Sequence, residues 1–167
     1  IITHPDEDHY GGFEPIFGTP KFGFDIVYHN GLAERPISGT FEKVGGLKAD
    51  PDTGRKYVED LAIGNAEIET RFGDGVDIGN FVYPAVMRNA LENPNIEKFA
   101  MLSTAHGTNE QGRVWMPGFA PSDNRGYLIE VLGPVAEFDA NQKPRLRKIG
   151  SYGETKNGHS VLLRLHF

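Results

Sequence analysis

The 167-residue sequence predicts a layered α/β or α+β domain, and three observations carry that prediction. Short runs of β-branched and aromatic residues recur between turn signals, as strands do. Only one or two stretches have helical spacing. The 21 Gly and 11 Pro break the chain too often for a helical bundle. The length suits one globular unit, and a hydrophobic share of 38% is enough to bury a core. A net charge of -6 argues against a surface that grips nucleic acid by charge alone, although Arg145, Arg147 and Lys148 form a local basic group. The lack of cysteine excludes a disulfide scaffold, a thiolate zinc site and a cysteine nucleophile. No apolar run is long enough to span a bilayer, so no membrane segment is expected in this chain.

The elements follow in order. Residues 1–3 read as the end of a strand, and Gly11-Gly12 behind the polar residues 4–9 predicts a sharp backbone turn. A short helix is expected at 13–17. Residues 24–29 have strand density and stop at Asn30-Gly31, a strong turn signal. From 32 to 80 the periodicity is poor, with 57–63 and 66–72 as the ordered pieces and 73–80 as a turn-rich hairpin. Residues 84–92 predict a helix that begins at Pro84 and ends before Asn93-Pro94. Strands are expected at 99–103, 127–132 and 160–167, the last with period-two alternation. Residues 104–125 and 136–158 read as loop and polar connection. The chain opens on Ile1 and closes within a strand pattern, so it is expected to be a piece of a longer protein.

One segment carries chemistry. His4-Pro5-Asp6-Glu7-Asp8-His9 places two imidazoles and three carboxylates in six residues, directly after a strand end. Loops held at strand ends are where functional groups are commonly presented. Imidazole with carboxylate suits zinc, manganese or iron, and a cation relieves the mutual repulsion of carboxylates this close. The competing reading is a solvated acidic turn with two incidental histidines. Elsewhere, Asp50-Pro51-Asp52-Thr53-Gly54 hints at a calcium loop, but Arg55 and Leu61 stand where the turn glycine and the bidentate acid are needed. No phosphate-binding loop, dinucleotide fingerprint or nucleophile elbow occurs.

The segment from Thr3 to Gly12 resembles the first metal motif of the metallo-β-lactamase superfamily, in the variant found in hydrolase domains of competence-type DNA-uptake channels and their soluble relatives. A late stretch, Ile129 to Pro134 and then Asn157-Gly158-His159-Ser160-Val161-Leu162-Leu163, is similar to the strand, loop and strand that precede the next metal motif in that branch. Residues 32–125 match loosely and are expected to be a loop-rich insertion.

The resemblance implies an αββα sandwich, incomplete in a single partial domain over 1–167, and a binuclear zinc site, with manganese or iron as alternatives. His4 would hold one ion, with Asp6 in place of a second His. Asp8 and His9 would hold the other, with Asp8 also orienting the attacking water, and Glu7 would face solvent. The remaining ligands, an Asp after Gly and a His-rich motif, are expected beyond Phe167. Of the other histidines, His106 reads as part of a polar turn or a further ligand, His159 as a residue on the substrate side of the site or behind its ligands, and His29 and His166 as structural. The implied activity is hydrolysis, a metal-activated water attacking a phosphoester, nucleic acid included, or another ester-like bond of a small molecule. The alternative is a non-catalytic, metal-stabilised binding or interaction domain with an incomplete site.

Overall fold

In the computed structural model, which describes residues 1–167, the chain is a mixed α/β protein with several small sheets and few helices. Helices α1 (Glu7–Tyr10) and α2 (Glu14–Phe17) are followed by β1 (Phe24–His29), β2 (Lys48–Ala49), β3 (Lys56–Val58), α3 (Asn65–Phe72), α4 (Val82–Glu92) and β4 (Ile96–Met101). The second half contains β5 (Thr108–Glu110), β6 (Arg113–Trp115), β7 (Leu128–Gly133), β8 (Glu137–Phe138), β9 (Pro144–Arg147), α5 (Tyr152–Gly158) and β10 (Leu162–His166). No helix is long and apolar enough to cross a membrane.

The first half is built by helical crossovers. β1 pairs in parallel with β4, Tyr28 opposite Ala100, and parallel pairing requires the α3–α4 connection that joins them. Along α4, Tyr83, Val86, Met87 and Ala90 fall on one face at three- and four-residue spacing and are buried. They close, with Ile2, Phe17, Val27, Ile68, Phe72 and Phe99, the largest apolar cluster of the molecule. Each Val, Ile, Met or Phe side chain of this cluster taken from water contributes about 1.5–3 kcal/mol. Asn93, just past α4, turns its amide onto the carbonyls of Phe17, Thr19 and Phe22 and so ties the helix end to the α2–β1 connection.

The remaining strands form two antiparallel sheets, one of which draws β2 and β3 from the first half. One sheet runs β10-β7-β6-β5, and another runs β2-β3-β9-β8. The residues before the motif join the two halves: Ile2 donates its N–H to the Tyr28 carbonyl at 2.8 Å, and the Thr3 carbonyl accepts from Val161 at 3.0 Å. The loop that begins at His4 therefore starts between β1 and the entry to β10.

Several expectations need correction. Residues 104–125 hold the β5–β6 hairpin, whose turn residues Gln111 and Gly112 both have positive φ, the twist that two-residue hairpins require. The hairpin expected over 73–80 is absent: the segment is a run of turns, held to α4 by Arg88, which donates to the carbonyls of Phe72, Gly73 and Val76. The stretch 136–158 is not a mere connection; it contains two strands and α5, which starts at a Ser151–Glu154 capping box. Gly11 has φ -57° within a run of helical turns, so the glycine pair needs no special backbone there. Gly31 does: its φ is +87° and a Cβ would lie 2.5 Å from the Met101 sulfur.

Candidate functional site

The strand-end segment delivers His4 into the interior and leaves the rest of the motif progressively outside. His4 is 2% exposed, whereas the side chains of Asp6, His9 and Asp8 are 28%, 41% and 81% exposed. Glu7 faces solvent. The residues stand as two pairs. His4 Nε2 lies 3.3 Å from Asp6 Oδ2, and His9 Nε2 lies 3.6 Å from Asp8 Oδ2. The two imidazoles lie against each other, ring centroids 3.9 Å apart. Nowhere do three His, Asp or Glu side chains converge as a ready-made cage.

The tautomer of His4 follows from its neighbours. Ser160 donates its hydroxyl proton to the Asn157 carbonyl at 2.7 Å, so at His4 Nδ1, 3.1 Å away, the same oxygen accepts. This arrangement favours the proton on Nδ1, with Thr3 Oγ1 a second neighbour at 3.3 Å, and a lone pair on Nε2. That Nε2 is fully buried and has no hydrogen-bond partner. Burial, then the neighbouring His9, lowers the His4 pKa despite Asp6 and Asp8, which keeps the ring neutral near pH 7. A buried lone pair facing a carboxylate oxygen is an unfavourable arrangement that a cation between the two would relieve. Thr3 Oγ1 also touches His9 Nδ1 at 2.9 Å, so one hydroxyl bridges both rings.

Asp6 has a partner that the motif does not announce. Lys156 on α5 is 8% exposed, and its ammonium donates to Asp6 Oδ1, to Glu34 Oε1 at 2.9 Å and to the Pro5 carbonyl at 3.2 Å. Tyr152, one turn earlier on α5, donates its hydroxyl to the same Glu34 oxygen at 2.6 Å. Burial alone would lower the Lys156 pKa, but the hydrogen bonds to Asp6 and Glu34 outweigh it and hold the ammonium above the usual lysine range. Desolvation pushes the Asp6 carboxyl up, and the Lys156 hydrogen bond and charge bring it below its usual range. Lys156, Glu34 and Tyr152 went unnoticed in the sequence. The Ser151–Glu154 capping box is a local signal for the start of α5, but nothing local links that helix to residue 6 or 34.

No family model, characterised protein or solved structure matches the chain. The other histidines hold separate places. His159 directs Nε2 to the Arg147 carbonyl at 2.7 Å, and its own carbonyl accepts from Asn30; its neighbour Ser160, not its ring, reaches the motif. His106 pairs with Ser103 Oγ at 2.7 Å. His29 accepts the Gly31 N–H at Nδ1 and leaves Nε2 buried without a partner, so it is only half satisfied. His166 meets Glu130 across β10 and β7 at 2.9 Å. The Asp50 loop closes on the Arg145 guanidinium at 2.7 Å.

Proposed function

We propose that this protein is a metal-dependent hydrolase of the metallo-β-lactamase fold, acting on a phosphoester, nucleic acid included, or on another ester-like bond. The observation that carries this reading is the buried, unpartnered Nε2 of His4 opposite Asp6 Oδ2. Two ligands held about 2.1 Å from one tetrahedral cation stand about 3.4 Å apart, and the His4–Asp6 separation is 3.3 Å. Ser160 supports it by accepting a hydrogen bond from Nδ1–H, the outer hydrogen bond that ligating histidines commonly make.

His4 and Asp6 would hold one ion, and Asp8 and His9 a second. Zinc fits this nitrogen and oxygen donor set first, with manganese or iron as alternatives. A bound cation supplies positive charge that lowers the pKa of water and stabilises developing negative charge on the substrate. The chain's own part is positional. Ser160 and Thr3 fix the His4 ring, and the exposed Asp8 carboxylate is free to accept a hydrogen bond from the attacking water and orient it.

The test is hydrolysis of bis(p-nitrophenyl) phosphate by the zinc-loaded protein, together with its metal content. The reading expects turnover that His4→Ala and Asp8→Ala each abolish. Stoichiometric zinc with no turnover on a broad panel of phosphoesters and carboxylic esters overturns it. That outcome would support the second reading, a non-catalytic metal-stabilised binding domain.

A further inference from the structure

Resting on the metal reading above, we infer that Lys156 is a positioning residue that sets the cation affinity of the His4–Asp6 position: its ammonium engages one Asp6 oxygen together with Glu34 and leaves the other oxygen to face His4. Three segments distant in sequence are needed to build this contact, the motif loop, the residues after β1 and the buried face of α5. The side chains of Lys156 and Glu34 are 10% and 16% exposed, so the charges meet where water screens them little. The Pro5 carbonyl takes a further ammonium proton, and Tyr152 covers the ammonium with its ring at 4.8 Å while its hydroxyl holds Glu34.

The charge count gives the consequence. Asp6 and Glu34 together carry two negative charges, and Lys156 cancels one. With lysine present, a divalent ion finds one nitrogen and one carboxylate oxygen, and it finds a fixed positive charge behind that carboxylate. Without lysine, the same ion meets His4 and an Asp6 carboxylate with no positive charge behind it, while Glu34 adds a second unneutralised charge to the surroundings. The ammonium therefore weakens cation binding and confines Asp6 to a single ligating oxygen. Glu34 has the opposite effect at a distance, because it shares the ammonium charge that otherwise falls wholly on Asp6.

Zinc affinity, measured in competition with a chromophoric chelator, tests this without reference to turnover. Lys156→Met, which keeps the length of the side chain and removes its charge, is expected to bind zinc about tenfold or more tightly than the native protein. Glu34→Gln is expected to bind severalfold more weakly, and Lys156→Gln, which removes the charge but keeps a hydrogen-bond donor toward Asp6, is expected to bind more tightly and carries the test if Lys156→Met fails to fold. A merely structural lysine would weaken zinc binding in all three variants. His4-dependent zinc binding that Lys156→Met leaves equal or weaker, or that Glu34→Gln strengthens, overturns the inference alone. Zinc binding that His4→Ala leaves unchanged overturns the metal reading, and the inference with it.

Discussion

The two pairs within one six-residue motif differ in everything but residue type. His4 and Asp6 are held by groups more than a hundred residues away, Ser160 at the entry to β10 and Lys156 on α5. Asp8 and His9 sit on the first turn of α1, and the only side chain from outside the α1 turn that bonds either of them is Thr3. A spacing such as His-x-Asp-x-Asp-His reports which ligands are available. It does not report which of them the fold has already oriented. Orientation comes from the second half of the chain, so the buried pair is coupled to folding and the exposed pair is not.

The coupling is broken most directly at Lys156. Replacing it by Met leaves two carboxylates without their buried partner, and removing one member of a buried ion pair costs about 3–5 kcal/mol. Urea unfolding of the metal-free protein should show that loss. If the ammonium stands in for charge that a cation could supply, saturating zinc should recover much of it in the variant, whereas a metal-independent loss would mean that the triad only braces α5.

Acid extends the same contrast. Burial holds His4 below the usual imidazole range, and it holds the fully buried His29, whose backbone pairs with Ile2 just before the motif, at about 3. The unfolded chain takes up protons below about pH 6.5 that the folded state refuses, so stability is complete above that pH and declines as pH falls toward 3. At pH 4.5 the His29 contribution alone amounts to about 2–3 kcal/mol. A His29→Gln variant should flatten the acid limb of a stability–pH curve, and an unchanged limb would show that the ring becomes charged without unfolding.

The sequence reveals these two histidines unequally, and the same holds for the fold. β1 ends where Asn30-Gly31 ends it, and the helix over 84–92 appears as α4 beginning two residues earlier, because both elements carry their own pattern of apolar and turn residues. The β5–β6 hairpin is only three residues per strand around Gln-Gly, too short and polar for periodicity to register. α5 contains two glycines and little apolar spacing; it is held by burial of Thr155 and Lys156 against segments that no local window includes. The motif loop was legible for the same reason as β1, since its chemistry is contiguous. Its support was not, because Glu34 and Lys156 lie 122 positions apart and meet only after the sheets are joined through Ile2 and Thr3.

A smaller effect is expected at Ser160. Ser160→Ala removes the acceptor of the His4 Nδ1 proton and leaves only Thr3 at 3.3 Å, a loss of about 1 kcal/mol. Under the metal reading the same change should weaken zinc binding about tenfold, since ligand orientation is lost without loss of a ligand. Thr3→Val removes the hydroxyl that bridges both rings, the only one that touches His9. If zinc binding responds to Ser160 and not to Thr3, the buried pair alone holds the ion.

The smallest structural effect belongs to Asp8, and it separates the readings most cleanly. Its side chain is 81% exposed and contacts only His9, so Asp8→Asn should shift stability by no more than about 0.5 kcal/mol. An amide can no longer accept from water at both oxygens or contribute negative charge, so under the hydrolase reading turnover should collapse while the folded, His4-coordinated state persists. Stability and zinc content that survive alongside undiminished hydrolysis would remove Asp8 from the chemistry and leave His4 and Asp6 as the whole of the active pair. A loss of stability comparable to that of Lys156→Met would instead mean that the exposed half of the motif is as tightly built into the fold as the buried half, and the contrast between them would disappear.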